Sequence, residues 1–159
     1  MRNYAKQEML ELLRADYPTA SFAAEEAAPP VYVAAEELCP LLQRVKLAGF
    51  NRLENVTAVD YKEYYELVYH LFNWQENSWL TVKLKVAHEQ PEAPSVTEVF
   101  PGADFEEREI YDLLGIRLNG HPNLRRILLA DDFVGHPLRK DYRQLEPPAV
   151  RRDLGAKHA

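Results

Sequence analysis

Apolar residues recur at helical spacing over residues 3–16, where Ala5, Met9, Leu12 and Leu13 are interleaved with Lys6, Glu8, Glu11 and Arg14, and Pro18 stands just beyond. This pattern predicts an amphipathic packing helix. Two short apolar stretches, 20–24 and 31–34, flank Ala27-Ala28-Pro29-Pro30 and predict a hairpin. Over residues 36–48, Leu38, Leu41, Leu42 and Val45 form a stripe that predicts a second helix. Proline is tolerated in a first helical turn, so the regular part is expected to begin near Pro40, with Gly49 as its stop. The period then changes. Val56-Thr57-Ala58-Val59 suits a buried strand, and Leu67, Tyr69 and Leu71 alternate with Glu66, Val68 and His70. Leu80, Val82, Leu84 and Val86 alternate with Thr81, Lys83, Lys85 and Ala87, the cleanest period of two in the chain. The segment 73–78 between these runs reads as a hairpin turn, with the lysine-bearing face toward solvent and helices over the other.

Gln90-Pro91-Glu92-Ala93-Pro94 marks a change to a region dense in charge, glycine and proline. Residues 104–115 form one further helix. Asp104 is expected to cap it, with Glu107 three positions on, and Gly115 ends it. Ile110, Leu113 and Leu114 form its buried stripe, and Glu106 and Glu107 suit the positive end of its dipole. Arg108 and Asp112, four apart, are expected to pair along one face, while Glu109 and Asp112, three apart, share a face. Beyond it, Gly120-His121-Pro122-Asn123-Leu124-Arg125-Arg126 is echoed by Gly135-His136-Pro137-Leu138-Arg139-Lys140. In each copy glycine permits a bend, proline holds the preceding histidine extended, leucine is an anchor and the cations project outward. Such a segment has no regular ladder for its backbone and is expected to lie on a surface, which suggests docking on a partner.

These elements make a single α+β unit: a two-layer module of a mixed β-sheet with helices packed on one face, followed by an extended irregular C-terminal arm. The module is expected over 3–90, the helix and interface arm of the same domain over 91–145, and a tail expected to fray over 146–159.

Composition narrows the functions. A net charge of −6 argues against nucleic-acid binding. The single cysteine, Cys39, excludes an intrachain disulfide and a self-contained iron–sulfur cluster, which takes about four thiolates. No run approaches the ~20 apolar residues of a membrane span, and Met1–Lys6 precede no apolar signal core. The chain is therefore expected in the cytosol, or at a membrane only through other proteins. No G-x-G-x-x-G or phosphate-cradling loop is present.

Three other chemistries are carried by the same residues. Glu109 and Asp112 could form an acid–base carboxylate pair. His121 and His136 could meet at a metal, though without cysteines or an H-x-x-x-H spacing. The paired cations could hold an anion such as a lipid headgroup. Against these stands their pairing with acidic groups of a partner subunit, which the planar fork of arginine suits.

The run Glu107-Arg108-Glu109-Ile110-Tyr111-Asp112-Leu113-Leu114-Gly115-Ile116, followed by Gly120–Ile127 and by Gly135-His136-Pro137-Leu138-Arg139-Lys140-Asp141-Tyr142, resembles the signature of the C subunit of respiratory NADH–quinone oxidoreductase (complex I). Phe50, Leu53 and Val56–Tyr61 resemble that family's segment before its central strands. The resemblance covers roughly residues 3–145. Where the family commonly has Asn-Trp before this helix, Ala103-Asp104-Phe105 stands here. The resemblance implies a non-catalytic connecting subunit of the quinone-reducing module, supporting electron transfer from NADH to quinone. It implies no cofactor in this chain, with iron–sulfur clusters and quinone in the neighbours. Its partners would be the larger quinone-site subunit and the small iron–sulfur subunit, and its place peripheral, on the cytoplasmic side of the inner membrane. Glu107, Arg108, Glu109, Asp112, His121, Leu124, Arg125, Arg126, His136, Leu138, Arg139, Lys140 and Asp141 are then expected at subunit interfaces. The runner-up is the equivalent subunit of an energy-converting membrane-bound hydrogenase or related oxidoreductase.

Overall fold

The computed structural model describes residues 11, 13–17, 21–22 and 30–143. The expectations for most of the first helix, for the connection 23–29 and for the tail 146–159 lie outside them. Residues 13–16 are helical, and they dock through buried Leu13 and an Asp16–Arg44 ion pair of 3.3 Å.

Strands β1 (Ser21–Phe22) and β2 (Val31–Tyr32) pair antiparallel, as a hairpin requires. Helix α1 (Ala35–Leu47) follows. Its start corrects the sequence reading, because Pro40 lies in its second turn rather than its first. The missing N–H leaves the Glu36 carbonyl without its helical donor. Complete burial of Leu38, Leu41, Leu42 and Val45, worth roughly 1.5–3 kcal/mol each, outweighs that loss. The helix ends as expected. Gly49, at φ 112°, donates to Lys46 O, and Phe50 donates to Val45 O, the reciprocal pair of a Schellman stop.

Strands β3 (Arg52–Asp60), β4 (Tyr64–Asn73) and β5 (Ser78–Ala87) complete a five-stranded sheet ordered β1-β2-β5-β4-β3. Only the β2–β5 pair is parallel. The β4–β5 turn is set by Asn73, whose Oδ1 accepts the N–H groups of Gln75 and Glu76. β5 alternates as its sequence does. β3 does not form the buried strand expected at 56–59: it is the sheet edge, and within that stretch only Val56 is buried. Its apolar composition reflects strand propensity at a half-covered edge rather than core burial.

The helices cover one sheet face. Tyr65, Leu67, Tyr69 and Leu71 of β4, Leu80, Val82 and Leu84 of β5, and the stripe of α1 form one cluster. Ala93, Val96, Phe100, Ile110, Leu114 and Leu118 belong to the same cluster, so the region beyond residue 90 shares this core. Two three-residue strands there had no sequence signal. β6 (Glu92–Pro94) and β7 (Arg117–Asn119) pair in parallel around the crossover helix α2 (Ala103–Leu114).

Candidate functional site

Helix α2 is entered through a turn in which Ala103 donates to Phe100 O and Asp104 to Pro101 O. The N-cap is Gly102 and no side chain caps the helix, so the capping role expected of Asp104 and Glu107 is not taken up. Asp104 sits inside the first turn, where its carboxylate meets His121 Nε2 at 3.1 Å. His121 Nδ1 accepts the Asn123 N–H at 3.0 Å, so the neutral ring carries its proton on Nε2 and donates to Asp104. Glu107 turns into the core. Its Oε1 accepts the Val96 N–H at 2.7 Å, and its Oε2 accepts the Ser95 hydroxyl at 2.6 Å. Burial pushes the Glu107 carboxyl above its ordinary range, more than these two donors pull it down.

Asp112 is the centre of the arrangement. It is fully buried and its Oδ2 accepts three successive N–H groups, from Ile127, Leu128 and Leu129, at 3.0, 2.8 and 2.9 Å. Its Oδ1 takes Arg126 Nη1 at 2.7 Å. Burial raises this carboxyl, but the three N–H groups and the guanidinium together outweigh it and hold the pKa at about 2. Arg126 also donates from Nη2 to the carbonyls of Phe133 and Gly135, at 3.1 and 3.0 Å. Arg108 donates to the carbonyls of Arg125 and Arg126, both at 3.2 Å. His136 meets the Asp112 carbonyl at 2.9 Å through Nδ1, which must therefore be the donor.

The expected Arg108–Asp112 pair along the helix is thus corrected. Each residue reaches instead across to the arm, because the backbone of 125–135 has no ladder and needs charged partners in place of one. Glu109 and Asp112 do not form a carboxylate pair either, since Glu109 is exposed while Asp112 is buried and fully engaged. The expectation that both cations of each pair project outward holds for Arg125 and Lys140, which are exposed. It fails for Arg126, which points inward, and for Arg139, which lies over the Tyr65 ring and grips Asp141 through two bonds of 2.9 and 3.1 Å. Both repeat glycines adopt the left-handed conformation, Gly120 at φ 87° and Gly135 at φ 92°.

Sequence reasoning missed a second fastening. Buried Asp60, at the end of β3, accepts the Lys62 N–H at 2.6 Å and, eighty residues on, the Lys140 N–H at 2.8 Å. The Asp-x-Lys turn, with Lys62 at φ 71°, is a local aspartate turn that the sequence could have signalled. Burial raises the Asp60 carboxyl, but the Lys140 and Lys62 N–H groups and nearby His88 more than reverse it.

Metal-binding geometry is limited among the described residues. His121 and His136 bond carbonyls at opposite ends of α2, Asp104 and Asp112, and do not converge. Asp60, His88 and Asp141 place ligand atoms within 4.8 Å of one another, but Asp60 accepts an N–H on each oxygen and Asp141 is held by Arg139. The outer surface of helix and arm presents apolar side chains instead. Phe105, Leu128, Val134 and Leu138 are all exposed, while Leu124 packs against the core. A recess of about 400 Å³ in the arm is lined by Val134, His136, Arg139 and Tyr142 among others. Apolar side chains are thus exposed on both the helix and the arm that Asp112 fastens together.

Residues 31–148 match the family model described as respiratory-chain NADH dehydrogenase, 30 Kd subunit. The chain is 47% identical over 118 residues to the C subunit of NADH-quinone oxidoreductase from Moorella thermoacetica, covering 72% of this chain and 80% of that one. It is 40% identical over 141 residues to the corresponding NADH-quinone oxidoreductase subunit of a Roseiflexus species, covering 84% and 81%. It is 41% identical to NADH-quinone oxidoreductase subunit 5 of Thermus thermophilus over 68% of this chain and 58% of that protein. Among solved structures, a chain of an archaeal respiratory complex, the membrane-bound sulfane sulfur reductase, superposes with a TM-score of 0.76 at 27% identity, covering 87% and 86%. A trypsin-resistant fragment of Nqo5 superposes with a TM-score of 0.64 at 30% identity, covering 74% and 98%.

Proposed function

The chain belongs to the family of the 30 Kd subunit of respiratory-chain NADH dehydrogenase, the C subunit of complex I, and from that premise we propose that it is a cofactor-free connecting subunit of the quinone-reducing module. It supports electron transfer from NADH to quinone by holding its neighbours in register. The clusters and the quinone belong to those neighbours: a larger quinone-site subunit and a small iron–sulfur subunit.

The observation that carries this reading is the Asp112 clasp. An irregular arm of about twenty residues is fastened to α2 by a buried carboxylate, two arginines and a histidine of the chain itself. The arm is therefore ordered before any partner arrives, and the entropic cost of docking falls accordingly. Its apolar side chains are left facing outward, which fits the composition of an interface core. Nine of the thirteen residues expected to grip a partner fall into two kinds. Asp112, Glu107, Arg108, Arg126 and His136 shape the platform from within. Leu138, Arg125, Lys140 and Glu109 are available on its surface.

No helix among the described residues is long and apolar enough to cross a membrane. That is consistent with a peripheral place on the cytoplasmic side of the inner membrane, reached through the complex. The hydrogenase-type alternative is less favoured, since the relatives named above as NADH-quinone oxidoreductase subunits are 40–47% identical and the sulfane sulfur reductase chain 27%. Gentle isolation of the tagged chain from its host tests the reading. Recovery with iron–sulfur subunits and NADH–quinone activity is expected. Recovery as a lone monomer, under conditions that preserve such assemblies, would overturn it.

A further inference from the structure

The middle of the arm carries charges that its own fastening does not use. Between Ile127 and Gly135 the charged residues are Asp131 and Asp132. They are the two central residues of a turn closed by the Phe133 N–H on Ala130 O at 3.0 Å, and both are exposed. Neither carboxylate has an ion-pair partner among the described residues. The guanidinium behind the turn is already engaged, since Arg126 holds Asp112 at 2.7 Å and the carbonyls of Phe133 and Gly135 at 3.1 and 3.0 Å. Both limbs of the turn are therefore tied down. Asp112 holds the incoming limb through the N–H groups of Ile127, Leu128 and Leu129, and Arg126 holds the outgoing one. Leu128 on the first limb is 59% exposed and Val134 on the second is 68% exposed.

We propose that this turn docks on a basic patch of a second subunit of the complex, whose lysine or arginine side chains meet Asp131 and Asp132. The proposal rests on the connecting role argued above and names the chemistry of the surface that the arm meets. A β-turn holds its first and last Cα atoms within about 7 Å. Two exposed aliphatic side chains and two free carboxylates therefore belong to one short, braced segment, and a partner that covers Leu128 and Val134 also reaches the turn between them. Carboxylates withdrawn from water without a counter-ion are strongly unfavourable. The described part of this chain supplies no counter-ion here, so the cations come from the partner. Matching of this kind fixes partner and register more than raw affinity. The bracing of both limbs before docking keeps the ordering cost small. An anionic lipid surface is repelled by these charges. A bound metal ion is the less suitable occupant, because among the described residues no third carboxylate, histidine or cysteine converges on the pair.

The test compares the complex isolated from its host with the full chain alone. Both are treated with a water-soluble carbodiimide and glycine ethyl ester, and coupling at Asp131 and Asp132 is read by peptide mass spectrometry. Coupling several-fold slower in the complex at both residues is the expected result. Recovery of assembled complex is then measured for Asp131→Asn, Asp132→Asn and for Asp131→Lys, Asp132→Lys, with the urea midpoint of each isolated chain as the control for folding. The lysine variant sets like charges against the patch and should lower recovery about tenfold, and the asparagine variant should lower it less. If the lysine variant does not fold, the asparagine variant decides alone: its complex should release this chain at lower salt than the natural complex, and release at the same salt overturns the basic patch. Undiminished coupling in an intact complex overturns this inference and leaves the connecting role standing. Protection with unchanged recovery of both folded variants overturns the basic patch in favour of a purely apolar contact. Protection removed by a chelator overturns it in favour of a bound cation, and slow coupling already in the chain alone overturns it in favour of an internal contact. Failure to recover the natural chain with any other subunit overturns the connecting role itself.

Discussion

Asp112 Oδ1 and Arg126 Nη1 meet at 2.7 Å, fourteen residues apart in the chain, and through them the C-terminal half of helix α2 becomes the backing of the arm. The same carboxylate satisfies the three N–H groups that follow Arg126. One residue thus replaces the ladder that this irregular segment lacks.

Replacement of that carboxylate is therefore expected to damage the chain itself. Asp112→Asn keeps the volume but removes the charge and one acceptor, leaving the inward-pointing Arg126 without its counter-ion. Breaking a buried pair from one side costs about 3–5 kcal/mol. Urea denaturation of the variant checks this, and an unchanged midpoint would remove the clasp as a source of stability.

The acid limb of stability follows from the same group. The folded carboxyl is held at about 2, below the unfolded value of 3.8. Its contribution is complete above the unfolded value and is lost as pH falls through the folded one. The window is therefore about pH 4 down to 2, and the amount roughly 2–3 kcal/mol. Stability measured against pH should fall there in the natural chain and flatten in Asp112→Asn.

Glu107 has the opposite sign. Its carboxyl is raised by burial, so its contribution is full below the unfolded value of 4.5 and is lost as pH rises through the folded pKa. Glutamine can accept the Val96 N–H with its oxygen and donate to the Ser95 hydroxyl, which already has Thr97 Oγ1 as a second partner at 2.8 Å. Glu107→Gln should be better tolerated at pH 7, relative to the natural chain, than at pH 4. Glu107→Ala orphans buried donors and should cost about 1–3 kcal/mol. Denaturation midpoints of both variants at the two pH values decide it.

The close approach of arm to helix is readable at Gly115. Its φ is 73°, and a Cβ there would stand 2.6 Å from His136 Cδ2. Gly115→Ala should cost at least about 1–2 kcal/mol from the backbone alone and displace the His136 ring. Gly102→Ala, at φ −63° with open space around it, should be neutral or slightly stabilising. Comparable loss from both would contradict this packing.

Much of this fold was legible because it repeats at short range. The alternation along β5, the stripe of α1 and the stop at Gly49 are local patterns with local causes. Pro40 misled, since tertiary burial of four apolar residues outweighed a rule about one missing donor. Asp104 misled as well, because the chain enters α2 through a turn of backbone bonds that leaves the side chain free for His121. The family motif located the helix and arm but not their geometry. Nothing in spacing shows that Asp112 serves residues 127–129, or that Asp60 serves Lys140 eighty positions later. Such contacts depend on how the arm turns at Gly120 and Gly135, and they leave no period to read.

A chain that joins its neighbours through the outer surface of the arm, and contributes no chemistry of its own, should be needed for assembly but not for turnover. The decisive experiment removes the chain from its host and returns it either natural or as Leu128→Asp, Val134→Asp, Leu138→Asp. All three positions are exposed, so the isolated fold should hold, with each change within about 0.5 kcal/mol. The amount of assembled complex and the NADH–quinone turnover per assembled complex are then measured together. Less complex, with unchanged turnover in what does assemble, is the expected outcome. Full assembly with lowered turnover would contradict the connecting role and would place this chain in the chemistry itself.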